Sequence, residues 1–199
     1  MPIDPLDSID PEDRASSKAA STLNTWVAIT VALLATFTGI CQVKDNNIGQ
    51  AMQQAQADKL DHWAFYQARN TRQEIAAATA LQLRLALPAA QSARRVAYDS
   101  AFHRYEALAA DQAAKKDSLR VQAEQDQATY DALNYRDDQF DLSDALIALA
   151  ISLLALTALT HKRWLFLVAL VPTVLGVLMG LAGLLNWHLH PDAITRLLS

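Results

Sequence analysis

The chain alternates between uncharged apolar stretches and one long polar stretch. Residues 19–43, 145–160 and 164–186 carry no formal charge and consist mostly of Leu, Ala, Val and Ile. Such stretches are stable in the hydrocarbon core of a bilayer, which is about 30 Å thick, because a helix rises about 1.5 Å per residue. The pattern therefore predicts three transmembrane helices, at residues 21–43, 142–160 and 164–187.

The polar stretch, residues 44–141, predicts long helices. It is rich in strong helix formers, and Pro88 divides it into two runs that contain no other proline. Because neither run can bury a core alone, we predict an antiparallel hairpin that turns near Pro88 and stands on the membrane as a stalk. The unequal lengths of the runs imply a break or an unpaired segment. The predicted fold class is an all-α membrane protein with a coiled-coil-like hairpin inserted between its first and second transmembrane helices.

Apolar residues of the second run recur near alternating three- and four-residue spacing, as expected for the contact face of paired helices. Polar residues interrupt this face at Gln112, Lys116, Asp126 and Asp137. The hairpin core is therefore predicted to be weak, and further subunits or lipid would complete it.

Short segments connect or flank the helices. Residues 1–20 are acidic and contain prolines, which predicts a mobile leader with a helix beginning near Ser16 or Ser21. Residues 141–144, Asp-Leu-Ser-Asp, resemble a capping box and predict that the helix restarts before the second span. Residues 161–163 form a basic tip between the second and third spans, and residues 188–199 form a short tail.

Charges near the spans predict the orientation. The leader is long and acidic, whereas a cleaved signal peptide begins with a short basic region, so the first helix is predicted to be an uncleaved anchor. The short loop carries Lys162 and Arg163, which the positive-inside rule places in the cytoplasm. This orientation places the N-terminus in the cytoplasm and the hairpin on the outer side of the membrane, which is the periplasm if the cell is a Gram-negative bacterium. Lys44 and Arg136, at the other ends of the spans, favour the opposite orientation.

Each predicted span carries small residues at alternating three- and four-residue spacing. Lipid is as apolar as Leu, so helices in a bilayer associate through close backbone approach, which small side chains permit. Two interpretations remain open: contacts between copies in a homo-oligomer, or packing within one three-helix bundle. The small residues on which both interpretations rest are Thr25, Ala28, Ala32, Ala35 and Gly39 in the first span, Ala145, Ala148, Ser152 and Ala155 in the second, and Ala169, Thr173, Gly176, Gly180 and Gly183 in the third.

Residues 61–72 form the most distinctive polar segment. On a helix, Trp63 and Tyr66 share a face, and Arg69 follows one turn later. This aromatic density predicts either a contact site for another subunit or protein, or the core of the hairpin.

The same segment carries a resemblance to a known family. Asp61, Trp63, Tyr66, Gln67, Ala68 and Arg69 follow an uncharged span and precede a hairpin whose tip reads His161-Lys-Arg-Trp164. In these features the chain resembles the bacterial domain-of-unknown-function 4337 family, from the first helix to the third. The resemblance implies a three-span membrane protein with a helical insertion, and it implies no activity, cofactor or catalytic residue.

Several functional classes are disfavoured. The net charge of −4 comes without a dense Lys/Arg cluster, which argues against nucleic-acid binding. The spans contain no Asp, Glu, Lys or Arg, the groups that coupled transporters use. We find no nucleophile beside a base, no phosphate loop and no metal cluster, so no enzyme, cofactor or metal is expected. The spacing of His188, His190 and Asp192 does not fit a helical metal motif, and the single cysteine, Cys41, excludes an internal disulfide.

The sequence thus predicts a non-catalytic integral membrane protein, a homo-oligomeric scaffold whose partners are the lipid bilayer and copies of itself. Two alternatives stay open. One is an oligomeric pore lined by residues such as Thr30, Thr36 or Thr157. The other is a membrane-anchored adaptor that binds a protein partner through Trp63 and Tyr66.

Overall fold

The computed structural model describes the backbone of residues 11–187 and the side chains of residues 18–187 except that of Ala93. Within this range the chain forms helices and no strand, which confirms the all-α fold. The elements are α1 (Pro11–Ala86), a 3₁₀ turn (Leu87–Ala89), α2 (Ser92–Thr160) and α3 (Arg163–Leu185). Residues 1–10 of the predicted leader and the tail 188–199, with His188, His190 and Asp192, lie outside the described residues.

The three long helices each contain a stretch that is long and apolar enough to cross a membrane. These stretches are the ones that the uncharged segments of the sequence predict. Length and composition therefore agree with a membrane protein of three spans.

Helix boundaries differ from the prediction in two places. α1 begins at Pro11, before the expected start at Ser16 or Ser21. Proline is well suited to the first turn of a helix, because the N–H group that it lacks would have no hydrogen-bond partner within the helix there. α2 continues without a break from Ser92 to Thr160, so the predicted restart at residues 141–144 is wrong. The physical reason is that the Ser143 hydroxyl donates to the carbonyl of Gly176, 2.8 Å away, instead of capping a helix.

Local backbone chemistry ends each helix. Pro88 follows α1 and cannot donate the N–H that a longer helix would require. α2 ends at Thr160, where His161 adopts a left-handed backbone with φ of 55°. Asn186, with φ of 61°, ends α3, and the N–H of Trp187 returns to the carbonyl of Ala182 at 2.9 Å. Asn tolerates this conformation better than most residues, which suits it to the end of a helix.

The described residues divide into two compact units. The first unit comprises residues 11–49 and 134–187, and the second comprises residues 50–133. The core of the first unit takes side chains from all three helices: Val27 and Leu34 from α1, Ile147, Ala150 and Leu154 from α2, and Ala169 from α3.

Glycines of α3 allow the helices of the first unit to approach closely. A Cβ placed on Gly180 would lie 2.7 Å from the ring of Phe37 and 2.8 Å from Oγ of Ser143. A Cβ on Gly183 would lie 2.8 Å from the ring of Phe140, and one on Gly176 would lie 2.9 Å from Ile147. By contrast, a Cβ on Gly39 of α1 would meet nothing within 4 Å. The α3 glycines therefore serve packing within the chain.

We expect Gly180→Ala to lower the free energy of unfolding by about 1–3 kcal/mol, because the added methyl group overlaps Phe37 and Ser143. Gly39→Ala is the matched control. It should be neutral or stabilise the protein by up to about 1 kcal/mol, since Ala is the better helix former. Unfolding in detergent, followed by circular dichroism, measures both. Equal losses in the two variants would contradict the packing role of Gly180.

Candidate functional site

The structure divides the small residues of the first unit into buried and exposed sets. Those of α3 are buried or half-buried among α1 and α2, including Gly176, Gly180 and Gly183. The small residues of the other two helices are exposed: Ala28, Ala32, Ala35 and Gly39 on α1, and Ala145, Ala148, Ser152 and Ala155 on α2. Packing within the bundle thus buries the small residues of α3 and leaves those of α1 and α2 uncovered.

Two residues of each uncovered set line one groove between α1 and α2, with a volume of about 600 Å³. We call it the small-residue groove. Ala35 and Gly39 line one side of it, and Ala145 and Ala148 line the other. The remaining lining residues are Thr38, Gln42, Asp144, Ile147 and Ile151.

Two polar atoms of this lining are buried without a hydrogen-bond partner in the described protein. They are Oγ1 of Thr38 and Oδ1 of Asp144. A buried polar atom without a partner costs free energy, so most such atoms in folded proteins are paired. The groove is therefore a surface on which the hydrogen bonding of the single chain is incomplete.

One end of the groove adjoins an acidic cluster, which we define as Asp45, Asp137, Asp138, Asp141 and Asp144. Burial raises the pKa of Asp45 to about 6, and the neighbouring Asp137 adds to this effect through its charge and a side-chain hydrogen bond. Burial also raises the pKa of Asp141, and the charges of Asp137, Asp138 and Asp144 add to it. Asp45 therefore keeps its proton to a higher pH in the folded protein than a solvent-exposed carboxyl group does.

Polar side chains of α2 bind the carboxyl end of α3 in the same unit. Arg136 donates from Nη2 to the carbonyl of Gly183 at 2.9 Å, and Gln139 donates from Nε2 to the carbonyl of Trp187 at 2.8 Å. The last carbonyls of a helix lack partners within the helix and carry partial negative charge, so a cation and an amide stabilise them. Sequence analysis missed this arrangement. Its signal is the spacing of Arg136, Gln139 and Ser143, which places the three on one helix face.

In the second unit, side-chain contacts join α1 to α2. Nδ1 of His62 lies 2.6 Å from Oδ2 of Asp126, and Lys59 donates to Gln127. Further along α1, Lys116 donates to Asn70 at 3.1 Å. Residue numbers therefore fall along α2 as they rise along α1. Lys116 and Asp126, which were predicted to interrupt the apolar face, form two of these contacts, and Gln112 forms another by accepting a hydrogen bond from Arg69.

The structure places the predicted partner-contact residues half-buried in the second unit. The rings of Trp63 and Tyr66 meet edge to face, with centroids 5.2 Å apart, and Nζ of Lys116 lies 5.8 Å from the centroid of Tyr66. Arg69 donates to Oε1 of Gln112 at 3.0 Å. Each residue thus has a contact within the chain, and a contact with another protein stays a prediction. Phe65 beside them has 60% of its surface exposed.

Metal chemistry has no evident site in the described residues. There, no group of three or more His, Cys, Asp or Glu side chains is arranged to hold a metal ion. Cys41 is buried with 1% of its surface exposed.

Comparison with protein families gives one match. Residues 23–186 match the family described as domain of unknown function (DUF4337). The matched range covers most of the chain, including the segment and the basic tip on which the resemblance rests, and it confirms that resemblance. No curated protein matches the chain, and no solved structure matches it.

The raised pKa of Asp45 predicts that stability depends on pH. Its pKa rises from 3.8 to about 6 on folding, so the folded protein binds more protons between these values and loses stability as the pH rises through them. We expect Asp45→Asn to flatten this dependence and to raise the unfolding temperature above about pH 6. Unfolding temperatures across this pH range in detergent provide the measurement. The exposed Asp117→Asn should keep the wild-type profile, and an unchanged slope in Asp45→Asn would refute the prediction.

The hydrogen bond from Arg69 to Gln112 predicts that Arg69 contributes to the stability of the single chain, whether or not another protein binds. Arg69→Ala removes the donor to Gln112, which is 5% exposed, and should lower the free energy of unfolding by about 1–3 kcal/mol. Arg72→Ala, at an exposed position on the same helix, should have little effect. Chemical unfolding of the two variants gives the comparison. A stable Arg69→Ala protein would mean that this residue serves something other than the helix pair.

Proposed function

Since the chain belongs to the domain-of-unknown-function 4337 family, whose description names no activity, we propose from its surfaces that it is a non-catalytic membrane scaffold that assembles with copies of itself. The small-residue groove is the observation that carries this proposal. Helices in a bilayer associate where small side chains let backbones approach, and the groove presents such residues on two adjacent helices.

The chemistry of the groove favours a second copy as its occupant. The unpaired atoms of Thr38 and Asp144 are hydrogen-bond acceptors. Gln42, exposed on the same lining, carries an amide donor. In a two-fold interface each copy presents the same patch to the other, so the Gln42 amide of one copy would lie against the groove of its partner.

We place residues 21–43, 142–160 and 164–187 in the bacterial inner membrane, with the N-terminus and the 161–163 tip in the cytoplasm. Lys162 and Arg163 in the short loop support this orientation. Arg136 is basic at the opposite boundary, but its contact with the carbonyl of Gly183 gives this charge a structural role. Arg136 is therefore weaker evidence against the proposed orientation than its charge alone would suggest.

We assign residues 50–133 to an antiparallel hairpin outside the membrane that contacts neighbouring copies. The contacts between α1 and α2 support the hairpin, because residue numbers fall along α2 as they rise along α1. The charged residues of this segment favour a position in water. An adaptor is the second candidate. The exposed Leu60 and Phe65, 61% and 60% exposed, support it, because they flank the half-buried Trp63.

A pore receives less support. Thr157 has no exposed surface and donates its hydroxyl to the carbonyl of Leu153 in its own helix. Thr30 and Thr36 likewise donate to carbonyls of α1. These hydroxyl protons are already engaged in the single chain.

We expect Gly39→Leu combined with Ala148→Leu to convert the oligomer to single copies, because bulky side chains would hold the two grooves apart. The single chain should tolerate the change at Gly39, around which a Cβ meets nothing. Val171→Leu, on an exposed face of α3, is the control and should keep the wild-type mass. Gly180→Leu is unsuitable for this purpose because Gly180 packs inside the chain.

The mass of the complex in native nanodiscs measures the result. A wild-type protein that is a single copy, or a double variant of unchanged mass, would contradict the scaffold. A second protein in fixed ratio with one copy would favour the adaptor instead.

A further inference from the structure

A second concave surface of the first unit lies between α1 and α3, next to the short loop. This crevice has a volume of about 390 Å³. We call it the α1/α3 crevice. It is distinct from the small-residue groove, with which it shares no lining residue. Its lining residues are Ala19, Thr22, Leu23 and Trp26 of α1, and Arg163, Phe166 and Leu167 of α3.

The polar half of the crevice is positively charged. Arg163 is the ionisable side chain of its lining, and it is exposed and therefore available to a ligand. Lys162 directly precedes it, and Lys18 lies one turn before Thr22 on α1. Both lysines are also exposed, and no acidic side chain is among the lining residues that the structure describes. This half of the crevice is therefore suited to an anion.

Apart from Thr22, the remaining lining is apolar and open. Trp26 is 58% exposed and Leu167 is 65% exposed, and Leu23 and Phe166 complete the wall. The indole of Trp164 beside the crevice is 59% exposed. Indole rings concentrate at the level of lipid headgroups, where one edge meets water and the other meets hydrocarbon. A ligand of this crevice would therefore have both an anionic group and a hydrocarbon chain.

We propose that the α1/α3 crevice binds one anionic phospholipid. The guanidinium group of Arg163 holds the phosphate, since its planar donors match phosphate oxygens in pairs. The backbone N–H groups of the first turn of α3 add to this site, because Lys162 provides no side-chain cap and the turn contains no acidic residue. One acyl chain lies against Leu23, Phe166 and Leu167.

The positive charge of the described side chains gives the site its selectivity. A phosphatidylglycerol headgroup is anionic, whereas phosphatidylcholine carries a quaternary ammonium that the three basic side chains disfavour. Inorganic phosphate has the charge but no acyl chain to fill the apolar half. This inference rests on the membrane placement in the proposed function, and it does not rest on oligomer formation.

Native mass spectrometry of the full chain in detergent provides the first test. Phosphatidylglycerol and phosphatidylcholine with the same acyl chains are added at equal concentrations. We expect about tenfold tighter binding of phosphatidylglycerol, the effect of one charge-assisted contact. Arg163→Gln should reduce its binding to that of phosphatidylcholine. Lys44→Gln, which removes an exposed cation at the other end of the apolar stretch of α1, should leave it unchanged.

A second variant tests the crevice without removing charge. Ala19→Phe places a ring in the crevice and should abolish the rise in unfolding temperature that phosphatidylglycerol gives the wild-type protein. Equal binding of the two lipids, or full phosphatidylglycerol binding by both Arg163→Gln and Ala19→Phe, would overturn the proposal. Displacement of the lipid by inorganic phosphate would also overturn it, because the site would then bind free phosphate.

Membrane fractionation separates this result from the proposed function. If the expressed wild-type protein is not recovered with membranes, the membrane placement fails and the lipid site fails with it. If it is recovered with membranes but binds the two lipids equally, only the lipid site fails.

Discussion

The first unit depends on the close approach of α3 to the other two helices. Gly176, Gly180 and Gly183 lie where any side chain would overlap Ile147, Phe37 or Phe140. This proximity also brings the hydroxyl of Ser143 to the carbonyl of Gly176, and the guanidinium group of Arg136 to the carbonyl of Gly183. Because apolar burial gains little within a lipid environment, contacts of this kind are what can hold such a bundle together.

Packing of α3 determines which surfaces are left for other molecules. Once the small residues of α3 are buried, those of α1 and α2 remain exposed, and four of them, Ala35, Gly39, Ala145 and Ala148, line the small-residue groove. The two concave surfaces of the unit differ in charge. The groove ends at Asp144 of the acidic cluster, whereas the α1/α3 crevice ends at Arg163. Different charges suit different occupants, and we assign a copy of the chain to the groove and an anionic lipid to the crevice.

The second unit uses polar contacts where a coiled coil would use apolar ones. Its buried apolar residues are mostly alanines, such as Ala55, Ala76 and Ala123, which fill little volume. His62 with Asp126 and Arg69 with Gln112 add contacts that are correct in only one register of the two helices. Paired polar groups in an interface contribute more to the choice of partner and register than to net stability. The polar contacts therefore define the register of the two helices, although the apolar core between them is small.

The sequence by itself determined the all-α fold, the three apolar spans and the family, because uncharged length, helix propensity and a local motif are properties of neighbouring residues. It also identified the small residues, but it could not separate those that pack within the chain from those that remain exposed. That separation depends on which helix faces meet, as Gly180 and Gly39 illustrate. They follow the same spacing rule, yet a Cβ added to Gly180 would overlap Phe37, whereas one added to Gly39 would meet nothing within 4 Å. The helix restart at residues 141–144 was wrong for the same reason, since Ser143 finds its partner 33 residues away. The tertiary structure also decided the burial of Asp45 beside Asp137 and the basic crevice, because both join residues that are distant in the chain and adjacent in the fold.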